Sequence, residues 1–421
     1  MSRGFYIILA AQFFSALADN ALLFAAIAML ANLHAQPWQT PVLQQFFVFA
    51  YIVLAPFVGS FSDALPKGRV MFVSNAVKLL GCLTMLFGMH PLFAYGIVGV
   101  GAAMYSPAKY GILTEYLPHH RLVVANGWME GLTVTAIILG AIGGGFLVGS
   151  RFSDYIFGRL DIPGFDLWID TAPELAIAVI LLLYLIAALI NLYIPKVAID
   201  HKPPRHNPLF LIQDFWNSLR LLWRDPLGQV SLAVTTIFWG AGATLRLIVL
   251  AWAGLALKFD LERATQLSAV VALGIAGGSV LAARFVSLEK SVRVLPVGIA
   301  MGLVVIGMVF VSDWRIAVAL LFIVGVMGGY FVVPMNALLQ HRGHLLMGAG
   351  HSIAVQNFNE NLSILVMLGF YALLIWLDFS IYTVVVLFGL FVAATMSLVR
   401  QRHLNNLRSG PLPQIPSDAH H

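Results

Sequence analysis

The chain has 421 residues, of which 60% are hydrophobic and 10% charged, with a formal net charge of +5. An ordinary soluble domain carries roughly a quarter charged residues, so this composition and a mean hydropathy of +0.88 exclude a soluble globular protein and predict a polytopic membrane protein. The single cysteine, Cys82, excludes an intramolecular disulfide and a cysteine-rich metal site, and no cofactor is expected. The basic residues fall between apolar runs rather than on an aromatic-interleaved patch, which argues against nucleic acid as a partner.

Apolar stretches predict helices near 5–33, 41–62, 70–89, 92–117, 122–149 and 173–194, then near 229–257, 264–286, 294–312, 315–340, 346–376 and 380–400. The opening run imitates a signal peptide, but it is about twice the length of a normal apolar core of one and contains Asp19-Asn20, so it reads as a retained first helix. With the N-terminus assigned to the cytoplasm, the inside segments hold 16 Lys and Arg residues, whereas Arg151, Arg159, Lys258, Arg263 and Arg315 lie outside. That asymmetry predicts both termini inside. The fold class is therefore an all-α membrane protein of twelve spans in two six-helix bundles, 1–194 and 229–402, joined by a linker over 195–228. In the linker, Leu209, Ile212, Trp216, Leu219 and Trp223 follow helical spacing against Gln213, Asp214, Asn217, Arg220 and Arg224, predicting an amphipathic helix on the cytoplasmic leaflet. The polar segment 403–421 is expected to be a disordered tail.

Gly101 and Pro107 in the fourth span recur as Gly328 and Pro334 in the tenth, which supports a parallel repeat of the two halves with substrate handled near the bilayer midplane. Between the second and third spans stands Gly59-Ser-Phe-Ser-Asp63-Ala-Leu-Pro-Lys67-Gly68-Arg69. It resembles the Gly-x-x-x-Asp…Gly-Arg loop of the major facilitator superfamily, although two residues longer between Asp and Gly. The resemblance implies that superfamily's fold and cytoplasmic gating roles for Asp63, Lys67 and Arg69.

An ionisable group near the bilayer centre costs at least ~2.5 kcal/mol on insertion scales, and six occur within spans: Asp19, Lys78, Lys109, Glu130, Arg246 and Glu360. Helical rise places Asp19, Arg246 and Glu360 in one layer roughly 21–26 Å from the cytoplasmic helix starts, with Lys109 and Glu130 in an inner layer at about 12 Å. Asp19 shares a face with Gln12 and Ser15, and Arg246 continues a polar or small stripe through Thr235, Trp239 and Gly242. Asp19 and Arg246 are thus expected to face each other, either paired directly or holding opposite ends of a zwitterion. A Lys109–Glu130 pair is expected in the inner layer. The eleventh span reads Gln356-Asn357-Phe358-Asn359-Glu360-Asn361, which no lipid-facing helix carries and which predicts a hydrated cavity wall. Lys78 is weaker, because its stem can reach toward the headgroups. Gly140/Gly144, Gly145/Gly149 and Gly274/Gly278 read as close-packing stripes.

Ala18-Asp19-Asn20-Ala21-Leu-Leu-Phe24, Tyr105-Ser-Pro-Ala-Lys109-Tyr-Gly, Phe238-Trp-Gly-Ala-Gly242 with Leu245-Arg246, Val333-Pro-Met-Asn336, and Ala354-Val-Gln356-Asn357 with Glu360-Asn361 resemble the bacterial lysophospholipid transporter family. The resemblance implies inward movement of lysophosphatidylethanolamine and related lysolipids across the bacterial inner membrane, by a monomer, for reacylation. It also implies a separate cytoplasmic acyltransferase/acyl-carrier-protein synthetase as partner. Asp19, Asn20, Tyr105, Lys109, Glu130, Arg246, Gln356, Asn357 and Glu360 are the expected substrate-binding residues. Their charges suit the substrate, since a headgroup with phosphate and ammonium needs a counter-charge at each end. No metal site and no enzyme motif is found: His-x4-Asp, His-Glu-x-x-His, Gly-x-Ser-x-Gly and Gly-x4-Gly-Lys-Ser/Thr are all missing. The competing expectation is a proton-coupled carrier of a small polar solute or drug, in which Asp19, Glu130 or Glu360 carries the proton.

Overall fold

The computed structural model describes residues 2–35, 39–149, 171–197, 207–259 and 261–410, and within them the secondary structure is helical without strands. Hydrocarbon dictates this. Every backbone N–H and C=O must be satisfied inside the segment that crosses, and a helix does so for all but its end groups. In chain order the helices are α1 (Arg3–Asn32), α2 (Gln39–Ala64), α3 (Lys67–Leu86), α4 (Pro91–Tyr116), α5 (Leu122–Leu147), α6 (Ala172–Asn191), α7 (Pro208–Arg224), α8 (Gly228–Ala256), α9 (Leu261–Phe285), α10 (Leu295–Ile306), α11 (Trp314–Met347), α12 (Ala349–Trp376) and α13 (Ile381–Ser409). Among the described residues eleven segments are long and apolar enough to cross a membrane, α10 counting together with the 3-10 turns on either side of it. α4 is equally long at 26 residues, but Ser106, Pro107, Lys109 and Glu115 dilute its apolar character.

Two boundaries differ from expectation. α11 continues beyond 340 to Met347 and meets α12 across Gly348 alone, whose φ of 97° turns the chain at once. α13 continues to Ser409, so residues 403–409 are helical where a disordered tail was expected. The cause is docking: Arg402 donates to Gln229 Oε1 at 3.1 Å and Asn406 donates to the Pro226 carbonyl at 3.0 Å. The end of the tail, 411–421, lies outside the described residues, as do Arg151, Arg159, Lys202 and Arg205.

The chain forms two compact units, Met1–Lys109 with Thr135–His206, and Tyr110–Val134 with Asn207–His421. The division differs from the expected one in the segment 110–134, the adjoining ends of α4 and α5, which belongs with the second unit. There Gly127 lies so close to α9 that a Cβ would stand 2.7 Å from that of Ala283.

In the first unit α1 and α3 both pack on α6, around Leu22, Ala25, Leu30, Met85, Ile177 and Ile180. Gly140 and Gly144 bring α5 against α1, where added Cβ atoms would lie 2.6 Å from Asn20 Cβ and 2.8 Å from the Ala21 carbonyl oxygen. In the second unit α8 and α10 both pack on α13, the same pairing seven positions later. Its tightest seam is α9 on α11, where Cβ atoms at Gly274, Gly278, Gly325 and Gly329 would overlap the carbonyl oxygens of Phe322, Val326, Val271 and Ile275. The Gly145/Gly149 stripe serves no such seam among the described residues, none of which lies within 4 Å of a Cβ at Gly145.

α7 is the expected amphipathic helix, with Asn207 capping it by accepting from Leu209 N at 3.1 Å. Its inward face is Phe215, Ser218, Leu219 and Leu222, while Leu209, Ile212, Trp216 and Trp223 remain exposed. The apolar stripe expected from spacing is therefore turned mostly outward, the orientation a helix on a leaflet surface requires. Phe215 stacks edge-on against Phe358 of α12 at 5.3 Å, and Asp214 Oδ2 lies 3.2 Å from His351 Nε2.

Candidate functional site

The polar centre of the first unit is built on α1, α3, α4 and α6. Asp19 Oδ2 accepts from Lys78 Nζ at 2.8 Å, and Asp19 Oδ1 accepts from the Tyr184 hydroxyl at 2.6 Å. Lys78 also donates to Ser15 Oγ at 3.0 Å, and Ser15 donates on to Asn75 Oδ1 at 2.9 Å. The ammonium stands 4.8 Å from the Tyr105 ring centre and 5.6 Å from that of Tyr184. Its side chain is 1% exposed, whereas the Asp19 side chain is 22% exposed. A buried ammonium on two aromatic faces and a carboxylate together form a well-satisfied cation. What remains accessible is the carboxylate, oriented by its two donors.

This arrangement corrects the direct Asp19–Arg246 pair, one of the two expected arrangements. The partner of Asp19 is Lys78, which the sequence reading let reach toward the headgroups. The stem is pinned instead, because Gly101 of α4 leaves room for it: a Cβ there would lie 2.6 Å from Lys78 Cγ. Arg246 is exposed on α8. Asn20 donates to the Ala16 carbonyl of its own helix at 2.8 Å, so its amide is committed to α1. Lys109 is buried at the end of the first unit.

The polar centre of the second unit is made of amides and two carboxylates. Gln356 Nε2 donates to Glu360 Oε1 at 2.7 Å and to Asn336 Oδ1 at 3.0 Å. Asn336 Nδ2 reaches Glu130 Oε1 at 3.4 Å, and the Tyr110 hydroxyl reaches the same oxygen at 3.2 Å. One turn away, Asn126 and Gln340 exchange two hydrogen bonds of 2.9 Å each. Asn357 is buried beside them, while Asn359 and Asn361 bond to carbonyls of α12 itself. Glu130, Gln356 and Glu360, expected from sequence, are thus brought together.

Of the loop residues expected to gate, Lys67 bonds Asp63 Oδ1 at 2.8 Å and the Ser62 carbonyl at 2.7 Å. Arg69 stands apart and exposed. Residues that sequence reasoning passed over are Tyr184, Asn336 and Gln340, and the buried pair Asp225–Arg342. In that pair the guanidinium donates to both carboxylate oxygens, and Asp225 also accepts from Gly228 N at 2.7 Å, capping α8. The signal for Asn336 was available: it stands two residues past Pro334, as Lys109 stands two past Pro107.

The sequence model of the Major Facilitator Superfamily matches residues 8–365. Lysophospholipid transporter LplT of Yersinia enterocolitica is 45% identical over 376 residues, covering 89% of this chain and 88% of that protein. The protein of the same name from Yersinia pestis is 44% identical over 385 residues, 91% of this chain and 90% of its own. Among solved structures, the superfamily transporter FucP in an outward conformation has a TM-score of 0.71 at 14% identity, covering 94% of this chain and 98% of its own. A bacterial homologue of the iron transporter ferroportin matches with a TM-score of 0.71 at 14% identity over 97% of this chain and 100% of its own. At that identity the structures speak for the fold, and the Yersinia relatives, transporters rather than enzymes, speak for the family. The chain belongs to the major facilitator superfamily and, within it, to the bacterial lysophospholipid transporters.

Proposed function

We propose that this chain moves lysophosphatidylethanolamine and related lysolipids inward across the bacterial inner membrane, by alternating access with lateral entry of the acyl chain. Both termini are cytoplasmic in this reading, and a separate acyltransferase/acyl-carrier-protein synthetase consumes the product. The observation that carries it is Asp19: a part-exposed carboxylate inside an apolar bundle, already fixed by Lys78 and Tyr184. Such a group is an acceptor for a primary ammonium, which supplies short charge-assisted hydrogen bonds and needs no reorganisation of the site. Exposed Arg246 is assigned to the phosphate, for which a planar fork of donors is suited. Asp63, Lys67 and Arg69 act in gating, and the amide network around Glu130 and Glu360 contacts the glycerol backbone.

The test is reconstitution into proteoliposomes, following labelled lysophosphatidylethanolamine between leaflets with and without a pH gradient. Protein-dependent movement that ignores the gradient is expected. Asp19→Asn is expected to lower it at least about tenfold, the loss of one charge-assisted contact. A second reading is favoured by the two buried carboxylates of the amide network, Glu130 and Glu360: a proton-coupled carrier of a small polar solute. Gradient-driven transport without lysolipid movement would select it and would make those two carboxylates the next to neutralise.

A further inference from the structure

At the end of the first unit where α2 gives way to α3, a cavity of about 210 Å³ is lined by Gly68, Arg69, Asn191, Ile194, Pro195 and Lys196 among others. Of the residues assigned to transport, Arg69 alone lies on its wall. α3 starts there without a side-chain cap and with no acidic residue in its first turn, so its first amides and the positive end of its dipole are uncompensated by side chains. That turn carries two cations instead, which is the wrong sign for helix stability. Lys67 is neutralised by Asp63. The side chains of Arg69 and Lys196 are exposed and make no hydrogen bond or ion pair among the described residues. On the cavity wall, Asn191 is 1% exposed, and both the oxygen and the nitrogen of its side-chain amide lack a hydrogen-bond partner. A buried amide normally finds partners, and this one has none among the described residues. Gly68 lets the start of α3 pack closely on the end of α6 beside the cavity: a Cβ there would stand 2.9 Å from the Asn191 carbonyl oxygen and 3.1 Å from Ile194 Cβ.

We propose that this cavity binds a phosphate group, supplied by the headgroup of an anionic phospholipid in the adjoining leaflet. Arg69 and Lys196 hold its charge, and the first amides of α3 and the Asn191 side-chain nitrogen donate to its oxygens. The lipid source follows from what borders the cavity. Leu192 and Tyr193, between Asn191 and Ile194, are 58% and 75% exposed, an apolar and an aromatic side chain of the kind that sits at headgroup level. The site depends on the proposed orientation only for which leaflet it faces, where a cytoplasmic leaflet supplies anionic lipid.

Native mass spectrometry of the full chain, released from nanodiscs mixing phosphatidylglycerol with phosphatidylcholine, reads the site without any transport step, so it stands or falls separately from the transport reading. Wild type is expected to retain phosphatidylglycerol preferentially, and Arg69→Gln/Lys196→Gln to lose at least about tenfold of that preference. Asn191→Leu, which removes the amide at similar volume, is expected to weaken it several-fold. Lys290→Gln/Arg293→Gln removes the same charge elsewhere at exposed positions and is expected to leave retention intact. A second arm titrates inorganic phosphate into detergent-solubilised protein. Phosphate binding with the same dependence on Arg69 and Lys196, without lipid preference, would keep the phosphate site and reassign its source to soluble phosphate. Equal retention by wild type and the Arg69/Lys196 variant with no phosphate binding, or equal loss in the Lys290/Arg293 control, would overturn the proposal.

Discussion

The two units of the chain solve the problem of a polar centre in lipid in different ways. The first uses a full ion pair: Lys78 on Asp19, with two tyrosine rings and two hydroxyls completing the shell. The second bonds two carboxylates with the amides of Gln356 and Asn336 and sets the reciprocal Asn126–Gln340 pair one turn away. An ion pair in a low dielectric is favourable only in one geometry and is costly when either member is missing. Amides donate and accept at once, so they can exchange partners with small changes in energy. The first centre is therefore rigid and selects by charge, and the second is suited to re-pairing as the protein changes conformation.

The largest expected effect comes from breaking the rigid centre. Lys78→Met leaves the Asp19 carboxylate with Tyr184 as its one remaining donor among the described residues, and removal of one member of a buried pair costs on the order of 3–5 kcal/mol. Thermal unfolding of the purified protein measures the loss. Asp19→Asn combined with Lys78→Met is expected to regain most of that stability and none of the lysolipid transport. A double variant no more stable than Lys78→Met alone would mean that the pair is not what holds this centre. Tyr184→Phe is next: it removes a hydrogen bond to a charged group, about 1.5–3 kcal/mol, and is expected to weaken transport while leaving the fold intact.

Packing separates the units as well. Gly325→Val overlaps the Val271 carbonyl on α9 and is expected to cost about 1–3 kcal/mol by overpacking, whereas Gly145→Ala in α5, with open space around it, is expected to leave the unfolding temperature unchanged. A cost at Gly145 as large as at Gly325 would mean that close backbone approach is not what makes the α9–α11 seam sensitive to substitution.

The architecture was legible because helix periodicity, span length and loop charge are local properties of the chain. The polar residues were legible as a set for the same reason: any charge in an apolar run stands out, and Asp19, Glu130, Gln356 and Glu360 all prove to be buried or part-buried bonded groups. Their partners were not. Depth along a helix axis ranks Asp19 with Arg246, but it does not give the rotation of α3 that turns Lys78 inward, nor the vacancy at Gly101 that accommodates its stem. Tyr184 sits in the leucine-rich run Ile180-Leu-Leu-Leu-Tyr184-Leu-Ile186, where nothing nearby in sequence marks its hydroxyl as an Asp19 donor. The grouping of 110–134 with the second unit likewise depends on contacts more than 200 positions apart, such as Asn126 with Gln340.

The smallest expected net effect is also the sharpest test of the amide centre. Asn126 and Gln340 bond reciprocally and are 0% and 1% exposed. Asn126→Leu alone strands the Gln340 amide, and an unsatisfied buried polar group costs about 1–3 kcal/mol. Replacing both by leucine removes donors and acceptors together, which is expected to be close to neutral for stability. If the pair must open during the transport cycle, the double variant keeps its unfolding temperature yet moves lysolipid at a different rate, because a dry apolar contact reopens with a different barrier than two amide bonds. A double variant as unstable as the single would show that Asn126 and Gln340 are held by partners beyond each other, and the picture of an exchangeable amide centre would give way to a fixed network like that of the first unit.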